Sequence, residues 1–436
     1  MEINSISSSI PASGRQSHHK TGIVHILFLT LGFLIVPPFW AVLYYLYRIS
    51  RPQAVTKFPT ILTGAFLTSF CLTYLTPIWD NIAHYFVWKT LTIHPPQFDP
   101  TALFNKSWFN AIKLFIINNA GQETPYIYFV FVTYFLLFIS LGLLAKKLSG
   151  NKAALSIVAI VAISGLFPIL SYTRNSLALL CVCLPALSDT KKLFRKIIYI
   201  VLGFIAAYNF HDSIIILLPS VGLYILLQKK LLDIDASKYT AGLLIVLFLF
   251  FIFPQLLFLI PGDILPAERI STYIIADGRF LFGSDYIYVT LALVWCLFLL
   301  VNILKYRDEI SDKYLLSLFI TSSLFYFTTF ISGRYTLRIR MEFISLWIGM
   351  LLGYPIVMKN FSPYHKKVFK FALLISFSGY MILAGKPIFY APWFSNAEEC
   401  RNICLKIFKT PSVYLFDVNT HGFSNSVFEM TTWRSD

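Results

Sequence analysis

Arginine is the residue type whose chemistry is easiest to predict in this sequence. Arg174 stands in the short polar stretch 174-RNSLA-178, between two apolar segments. A guanidinium group binds phosphate oxygens through two parallel hydrogen bonds, so an arginine in this position indicates an anion site. The alternative is an arginine that only extends its charged group to the headgroups of a lipid bilayer.

A second group of arginines, within 333-GRYTLRIRMEF-343, points in the same direction. Arg334 and Arg338 are four residues apart and share a helix face, whereas Arg340 points elsewhere. Three arginines within seven residues are costly to keep in or near hydrocarbon. The spacing therefore predicts a site for a polyanion, and the alternative is a structural cluster paired with Glu342.

A histidine followed by an aspartate, in 209-NFHDS-213, could move a proton. Neutral imidazole can act as a general base near neutral pH, and the Asp212 carboxylate could orient the ring of His211. The alternative is a histidine that is only hydrogen-bonded at the end of a helix.

A fourth polar stretch, 79-WDNIAHYF-86, contains Asp80 and Tyr85. A single aspartate outside a membrane is most often only solvated, so a role for Asp80 depends on its lying beside the arginines and the histidine. Weaker candidates lie in 123-ETP-125 and in 269-RISTY-273, which contains Arg269 and Tyr273.

Motifs for cofactors are absent from the sequence. It contains no Walker loop, no glycine-rich dinucleotide turn after a strand, no HExxH and no CxxC pair. We therefore expect no cofactor and no metal, and an enzyme of this kind would use a substrate that is already activated.

The elements that must position these residues are transmembrane helices. Of 436 residues, 57% are hydrophobic and 13% charged, and a soluble domain carries about 25% charged residues. Apolar blocks of about 16–25 residues match the thickness of a bilayer. They predict an all-α bundle of about twelve spans, at approximately 22–46, 58–77, 126–145, 153–170, 173–188, 196–210, 212–228, 240–261, 286–304, 314–332, 336–357 and 368–384.

The loops between these spans divide by charge. Six of them (48–57, 146–152, 191–196, 229–238, 305–313 and 359–370) hold 20 of the 36 Lys and Arg residues. The positive-inside rule makes this set cytoplasmic, so the net charge of +15 reflects orientation in a membrane and argues against nucleic-acid binding. The predicted division of the chain is a polar tail at 1–21, a bundle at 22–384 with external loops at 78–125 and 262–285, and an external tail at 385–436.

The order of the polar motifs resembles the EpsG-like family of bacterial polysaccharide polymerases, which is allied to the Wzy-type O-antigen polymerases. The matching residues, in chain order, are Asp80 and Tyr85, Glu123 and Pro125, Arg174 and Ala178, Phe210, His211 and Ser213, Ser271 to Tyr273, and Arg334 or Arg338. The sequence departs from the family at Ile78-Trp79-Asp80, where members often have Gly-x-Asp before the tyrosine.

This resemblance implies a GT-C-like glycosyltransferase of the bacterial inner membrane that works at its periplasmic or outer face. It would join oligosaccharide repeats carried on undecaprenyl diphosphate, with no cofactor, and its other partners would be membrane lipids, a chain-length regulator and a flippase. We expect His211, Arg174 and Asp80 to be catalytic. We expect the substrate to be bound by Arg334, Arg338, Arg340, Asp212, Tyr85, Arg269 and Tyr273.

Three other functions fit the same residues. A flippase for the lipid-linked oligosaccharide would also need arginines for the diphosphate, but its charged groups should follow a path near the midplane instead of gathering at one face. An O-antigen ligase and a sugar acyltransferase would use similar groups, and the sequence scarcely separates a ligase from a polymerase.

Overall fold

The structure is a computed structural model that describes residues 38–50, 58–73, 108–121, 126–164, 172–190, 192–229, 284–331 and 335–390, with residues 84, 87–88, 90–91 and 169. These residues contain helices and no strand. The α-helices, in chain order, are α1 Pro38–Ser50, α2 Phe58–Thr73, α3 Trp108–Ala120, α4 Ile127–Ser149, α5 Ala153–Ser164, α6 Thr173–Cys183, α7 Leu193–Phe210, α8 Pro219–Gln228, α9 Ser284–Lys305, α10 Lys313–Ile331, α11 Tyr335–Asn360 and α12 Pro363–Tyr390.

The helices identify a membrane protein. Within the described residues, three helical segments are long and apolar enough to cross a bilayer, namely 128–164, 193–210 and 340–360. Shorter apolar helices lie at 61–70, 173–187, 212–228, 291–305 and 313–327. The helical class predicted from the sequence is confirmed, whereas the number of spans and the GT-C-like architecture stay predictions.

Most predicted spans coincide with helices to within a few residues. The predicted span at 212–228 is divided, because a 3₁₀ helix, Asp212–Leu217, precedes α8. Helix α12 continues to Tyr390, beyond the predicted end at 384. The predicted span at 240–261 and most of 22–46 lie outside the described residues.

Tyrosine and glycine fix the crossing of the first helices. Tyr45 of α1 lies against Gly64 of α2 and Gly142 of α4, where an added Cβ would overlap the tyrosine ring or hydroxyl. The Tyr45 hydroxyl donates a hydrogen bond to the Phe138 carbonyl of α4 at 2.8 Å. A polar ring therefore fills the junction of three helices and still satisfies its hydroxyl, as a low-dielectric interior requires.

One end of the bundle, called the lysine end, collects the basic loops. Lys147 pairs with Asp189 across the surface, and Lys359 pairs with Glu309 at 2.9 Å. The buried Lys196 donates hydrogen bonds to the Pro185 carbonyl at 2.8 Å and the Ser188 carbonyl at 3.1 Å. Its Nζ also lies 3.4 Å from the carboxylate of Asp312.

The opposite end is called the histidine end after His211, which directly follows the last residue of α7. Helix α7 has 18 residues and so spans roughly 27 Å at 1.5 Å per residue. Lys196 lies near its start and His211 at its end, which separates the two ends of the bundle by about the thickness of a hydrocarbon core.

Helix α3 lies within 78–125, which the sequence placed outside the membrane as a loop. Its sequence, 108-WFNAIKLFIINNA-120, has 13 residues and is shorter than the roughly 20 residues that a span needs. The Trp108 and Phe210 rings meet edge to face with centroids 5.8 Å apart, which brings α3 to the histidine end.

Candidate functional site

The candidate site is centred on the turn that follows α7. His211 has extended backbone (φ −156°, ψ 119°), so the α-helix ends there and the 3₁₀ helix Asp212–Leu217 begins. The residues His211 and Asp212 are buried, with 5% and 8% exposure. The His211 Nδ1 atom lies 3.4 Å from the Asp212 Oδ1 atom. The structure therefore places the predicted base directly beside a carboxylate.

Hydrogen bonds from Ser213 define the protonation of the imidazole. The Ser213 backbone N–H donates to His211 Nδ1 at 3.2 Å, and the Ser213 Oγ atom lies 2.8 Å from the same nitrogen. A backbone N–H can only donate, so Nδ1 is the acceptor and Nε2 carries the proton of the neutral ring. The lone pair that can take a proton is therefore the one that faces Ser213.

Arg174 lies level with this turn. Helices α6 and α7 approach closely, because a Cβ at Gly203 would come 2.8 Å from the Cys181 carbonyl oxygen. Arg174 precedes Cys181 by seven residues and Phe210 follows Gly203 by seven, so in this antiparallel pair both lie about 10 Å beyond the crossing. Arg174 is also the second residue of α6, at the positive end of the helix dipole.

A buried lysine that was not among the predicted site residues lies close to Arg174. Lys113 of α3 is 0% exposed. Its Nζ atom donates a hydrogen bond of 3.3 Å to the His84 carbonyl oxygen. It also lies 5.4 Å and 5.3 Å from the ring centroids of Phe109 and Phe129. In the part of the chain that the structure describes, no carboxylate pairs with this ammonium group.

The electrostatics of Lys113 and His84 show how close the positive charges are. Burial, together with the charge of Arg174, lowers the pKa of Lys113 to about 7. Burial lowers the pKa of His84 to about 3, and the charges of Lys113 and Arg174 act in the same direction. The histidine end therefore contains two side chains that carry a positive charge when protonated, Lys113 and Arg174, beside the neutral imidazole of His84 in a low-dielectric surrounding.

Aromatic rings form the walls around the Lys113 amine. The Phe109 and Phe129 rings meet edge to face at 4.7 Å, and the His84 ring lies 4.7 Å from that of Phe109. Trp88 packs against Phe129 at 5.9 Å. Ring faces attract a cation but cannot neutralise it as a carboxylate would.

The structure brings together some of the predicted residues and does not describe others. Arg174, His211 and Asp212 share the histidine end. Arg340 is near the start of α11, whose last residues contact Glu309 at the lysine end, so Arg340 also lies toward the histidine end. Arg338 is in the same helix, and its side chain is not described. Outside the described residues lie Asp80, Tyr85, Arg269, Tyr273 and Arg334.

Sequence reasoning missed Lys113, Ser213 as a partner of the imidazole, and Asn209. Asn209 is buried, and its Oδ1 atom has no hydrogen-bond partner among the described residues, whereas its Nδ2 donates to the Ile205 carbonyl at 2.8 Å. The signal for Lys113 was present, because it is the one basic residue in the 13-residue sequence of α3.

Among the described residues, no three His, Cys, Asp or Glu side chains lie together as a metal site requires.

Comparison with known proteins gives one family. A model of the EpsG family matches residues 109–386, which is more than half of the chain. The matched region contains Lys113, Arg174, His211 and Arg340, whereas Asp80 and Tyr85 precede it. No curated protein and no solved structure matches the chain.

Proposed function

Because the chain is a membrane protein that belongs to the EpsG family, with a role in polysaccharide biosynthesis, we propose that it is a glycosyltransferase that polymerises oligosaccharide repeats. The donor is a glycan chain on undecaprenyl diphosphate, and the acceptor is a hydroxyl group of the incoming repeat. The reaction takes place at the periplasmic or outer face of the bacterial inner membrane. The observation that carries this proposal is the turn of buried His211 and Asp212 and half-buried Ser213, which lies level with Arg174.

The geometry suits transfer between two lipid-linked sugars. The acceptor oxygen attacks the anomeric carbon of the donor, and the bond from that carbon to the diphosphate oxygen breaks. The acceptor proton passes to the Ser213 hydroxyl, which gives its own proton to His211 Nδ1 at 2.8 Å. The Asp212 carboxylate, 3.4 Å from the same nitrogen, stabilises the imidazolium ion.

Arg174 acts on the other half of the reaction. The leaving group is a lipid diphosphate, on which negative charge develops as the bond breaks. A guanidinium group held at a helix N-terminus stabilises such charge without reorganising. This assigns proton transfer to the turn after α7 and leaving-group stabilisation to the start of α6.

The distribution of buried charge favours an enzyme over a flippase. Among the described residues, the buried acidic and basic side chains are Lys113, Lys196, His211 and Asp212. Lys196 lies at the lysine end and the other three at the histidine end, and the buried polar residues between them are uncharged. A path for a diphosphate across the bilayer would need charged groups near the midplane.

A strain lacking the gene tests the function. We expect the strain to make glycan of one repeat, with chain length restored by the wild-type protein and not by His211→Ala. Loss of the base and of the arginine should each slow elongation by about a hundredfold or more. The measurement is the banding pattern of the surface glycan on a gel.

Two matched variants serve as controls. His365 and Arg307 lie at the lysine end, so His365→Ala and Arg307→Ala should restore long chains, whereas His211→Ala and Arg174→Ala should not. A strain with no surface glycan would identify a flippase or ligase, and altered acetylation an acyltransferase. Normal chain length with both His211→Ala and Arg174→Ala would refute the site.

A further inference from the structure

Helix α3 buries a basic residue, Lys113, and exposes an apolar residue, Phe115. Phe109, Lys113 and Ile117 form its buried face, at 4%, 0% and 2% exposure. Phe115 lies on the opposite face and is 65% exposed. The apolar composition of α3 would allow a fold with Lys113 outside, so the buried lysine is not needed to form the helix.

Packing does not explain the buried lysine either. A structural buried lysine normally has a carboxylate or several carbonyls as partners, as Lys196 has with Asp312 and two carbonyl groups. The described contacts of Lys113 are one long hydrogen bond to a neutral carbonyl and two ring faces. An ammonium group has three N–H donors, so this surrounding leaves capacity for an anionic acceptor.

We propose that Lys113 is a second cationic ligand of the donor's diphosphate group, acting beside Arg174; this inference rests on the proposed function. A diphosphate oxygen replaces the His84 carbonyl as the acceptor of the Lys113 hydrogen bond. The lysine at the centre of α3 and the arginine at the start of α6 then hold one dianionic group from two sides. The exposed Phe115 leaves the outer face of α3 available to the apolar part of a lipid.

Binding through Lys113 takes up a proton at neutral and alkaline pH. The bound diphosphate favours the charged amine and so opposes the burial that lowers the pKa of Lys113. The titratable groups that lie around this amine are His84 before α3, Tyr126 beside Phe129 before α4, and Arg174 from α6. The pKa of His84 is lowered to about 3, so His84 stays neutral above pH 6.

The test is the binding of undecaprenyl diphosphate, the lipid that the transfer releases, to the full-length protein in nanodiscs. Wild type should bind more weakly at pH 9 than at pH 6, because Lys113 must then gain a proton. Lys113→Met should bind about tenfold more weakly than wild type at pH 6 and about equally at pH 9. Lys113→Arg keeps its charge at both pH values and should lose this part of the pH dependence.

The ligand's own ionisation is shared by all variants, so the difference between variants reports on Lys113. Lys359→Met, at the lysine end, should follow wild type at both pH values. Inorganic pyrophosphate should show the same dependence on Lys113 as the lipid. A dependence seen only with the lipid would overturn the proposal, since Lys113 would then act on the isoprenoid chain.

Folding is checked by the melting temperature, which Lys113→Met should not lower, because it removes a buried charge. A lower melting temperature would assign Lys113 a structural role and overturn the inference. If Lys113→Met binds like wild type at pH 6 while Arg174→Ala loses binding, only the inference fails. If wild type binds neither ligand, the proposed function itself fails.

Discussion

Two residues at the histidine end, His211 and Lys113, differ in whether their surroundings stabilise a positive charge. The His211 imidazole has a carboxylate and a hydroxyl group within 3.4 Å, so a proton gained there is stabilised. The Lys113 amine has one carbonyl oxygen and aromatic rings, so its positive charge is opposed by burial and by Arg174. The surroundings of His211 suit a group that accepts a proton, and those of Lys113 suit a group whose charge is stabilised when an anion binds.

The lowered pKa of Lys113 predicts how stability depends on pH. The folded-state pKa of Lys113 is about 7, against an ordinary lysine pKa of 10.5. Between these pKa values the unfolded chain binds more protons than the folded chain, so the free energy of unfolding rises with pH. Below about pH 7 Lys113 is protonated in both states, and the cost of burying its charge is present in full. In this pH interval, the free energy of unfolding of wild type should rise relative to that of Lys113→Met by at most about 1.4 kcal/mol per pH unit.

Thermal unfolding in detergent at pH 6, 7.5 and 9 measures this difference. Lys113→Met should melt above wild type at pH 6, and the gap should narrow toward pH 9. A gap that stays constant with pH would show that the folded protein does not oppose the charge on Lys113.

At the scale of elements, close packing depends on glycines that face large side chains. Tyr45 occupies the space beside Gly64 and Gly142 and bonds to the Phe138 carbonyl. In α11, Gly349 faces Phe319, and a Cβ there would come 2.6 Å from the ring. These contacts bring α1, α2 and α4, and likewise α10 and α11, closer than larger side chains would allow.

Gly142→Ala should destabilise the protein by about 1–3 kcal/mol, because its Cβ overlaps the Tyr45 hydroxyl and the crossing must open. Gly222→Ala is the matched control, since a Cβ at Gly222 meets nothing within 4 Å. That substitution should be neutral or slightly stabilising through helix propensity. Equal melting temperatures for the two variants would contradict the packing described at Tyr45.

At the scale of the whole molecule, contacts join basic loops that are far apart in sequence. Lys196 and Asp312 are 116 residues apart and form a buried pair. Lys359 and Glu309 form an exposed pair, which lowers the pKa of the Glu309 carboxyl. The lysine end is therefore one surface, and the positive-inside rule predicts that it faces the cytoplasm.

Thiol labelling tests this orientation. In a chain whose native cysteines are replaced, Asn118→Cys at the exposed side of α3 should react with a membrane-impermeant maleimide in intact spheroplasts. Asp308→Cys, whose side chain is 92% exposed at the lysine end, should react only after lysis. The reverse result would place His211, Arg174 and Lys113 in the cytoplasm and exclude transfer at the outer face.

The sequence by itself determined the class of the protein, the approximate course of most helices and the identity of several polar residues. Those features depend on local properties, since apolar length selects helices that can enter a bilayer and charge sorts the loops. The sequence also indicated His211, Asp212 and Arg174 as candidate site residues, because charged residues beside apolar spans are conspicuous.

Only the tertiary structure decided which of these residues meet. The pairing of α6 with α7 places Arg174 level with His211, and helix contacts between distant segments cannot be read from local periodicity. The burial of Lys113 was also decided there, because α3 lies in a segment that the sequence predicts as a loop, and its inward face is set by contacts with Phe210 of α7 and Phe129 of α4. The tautomer of His211 likewise followed from the extended residue at the end of α7, which lets Ser213 donate back to the ring.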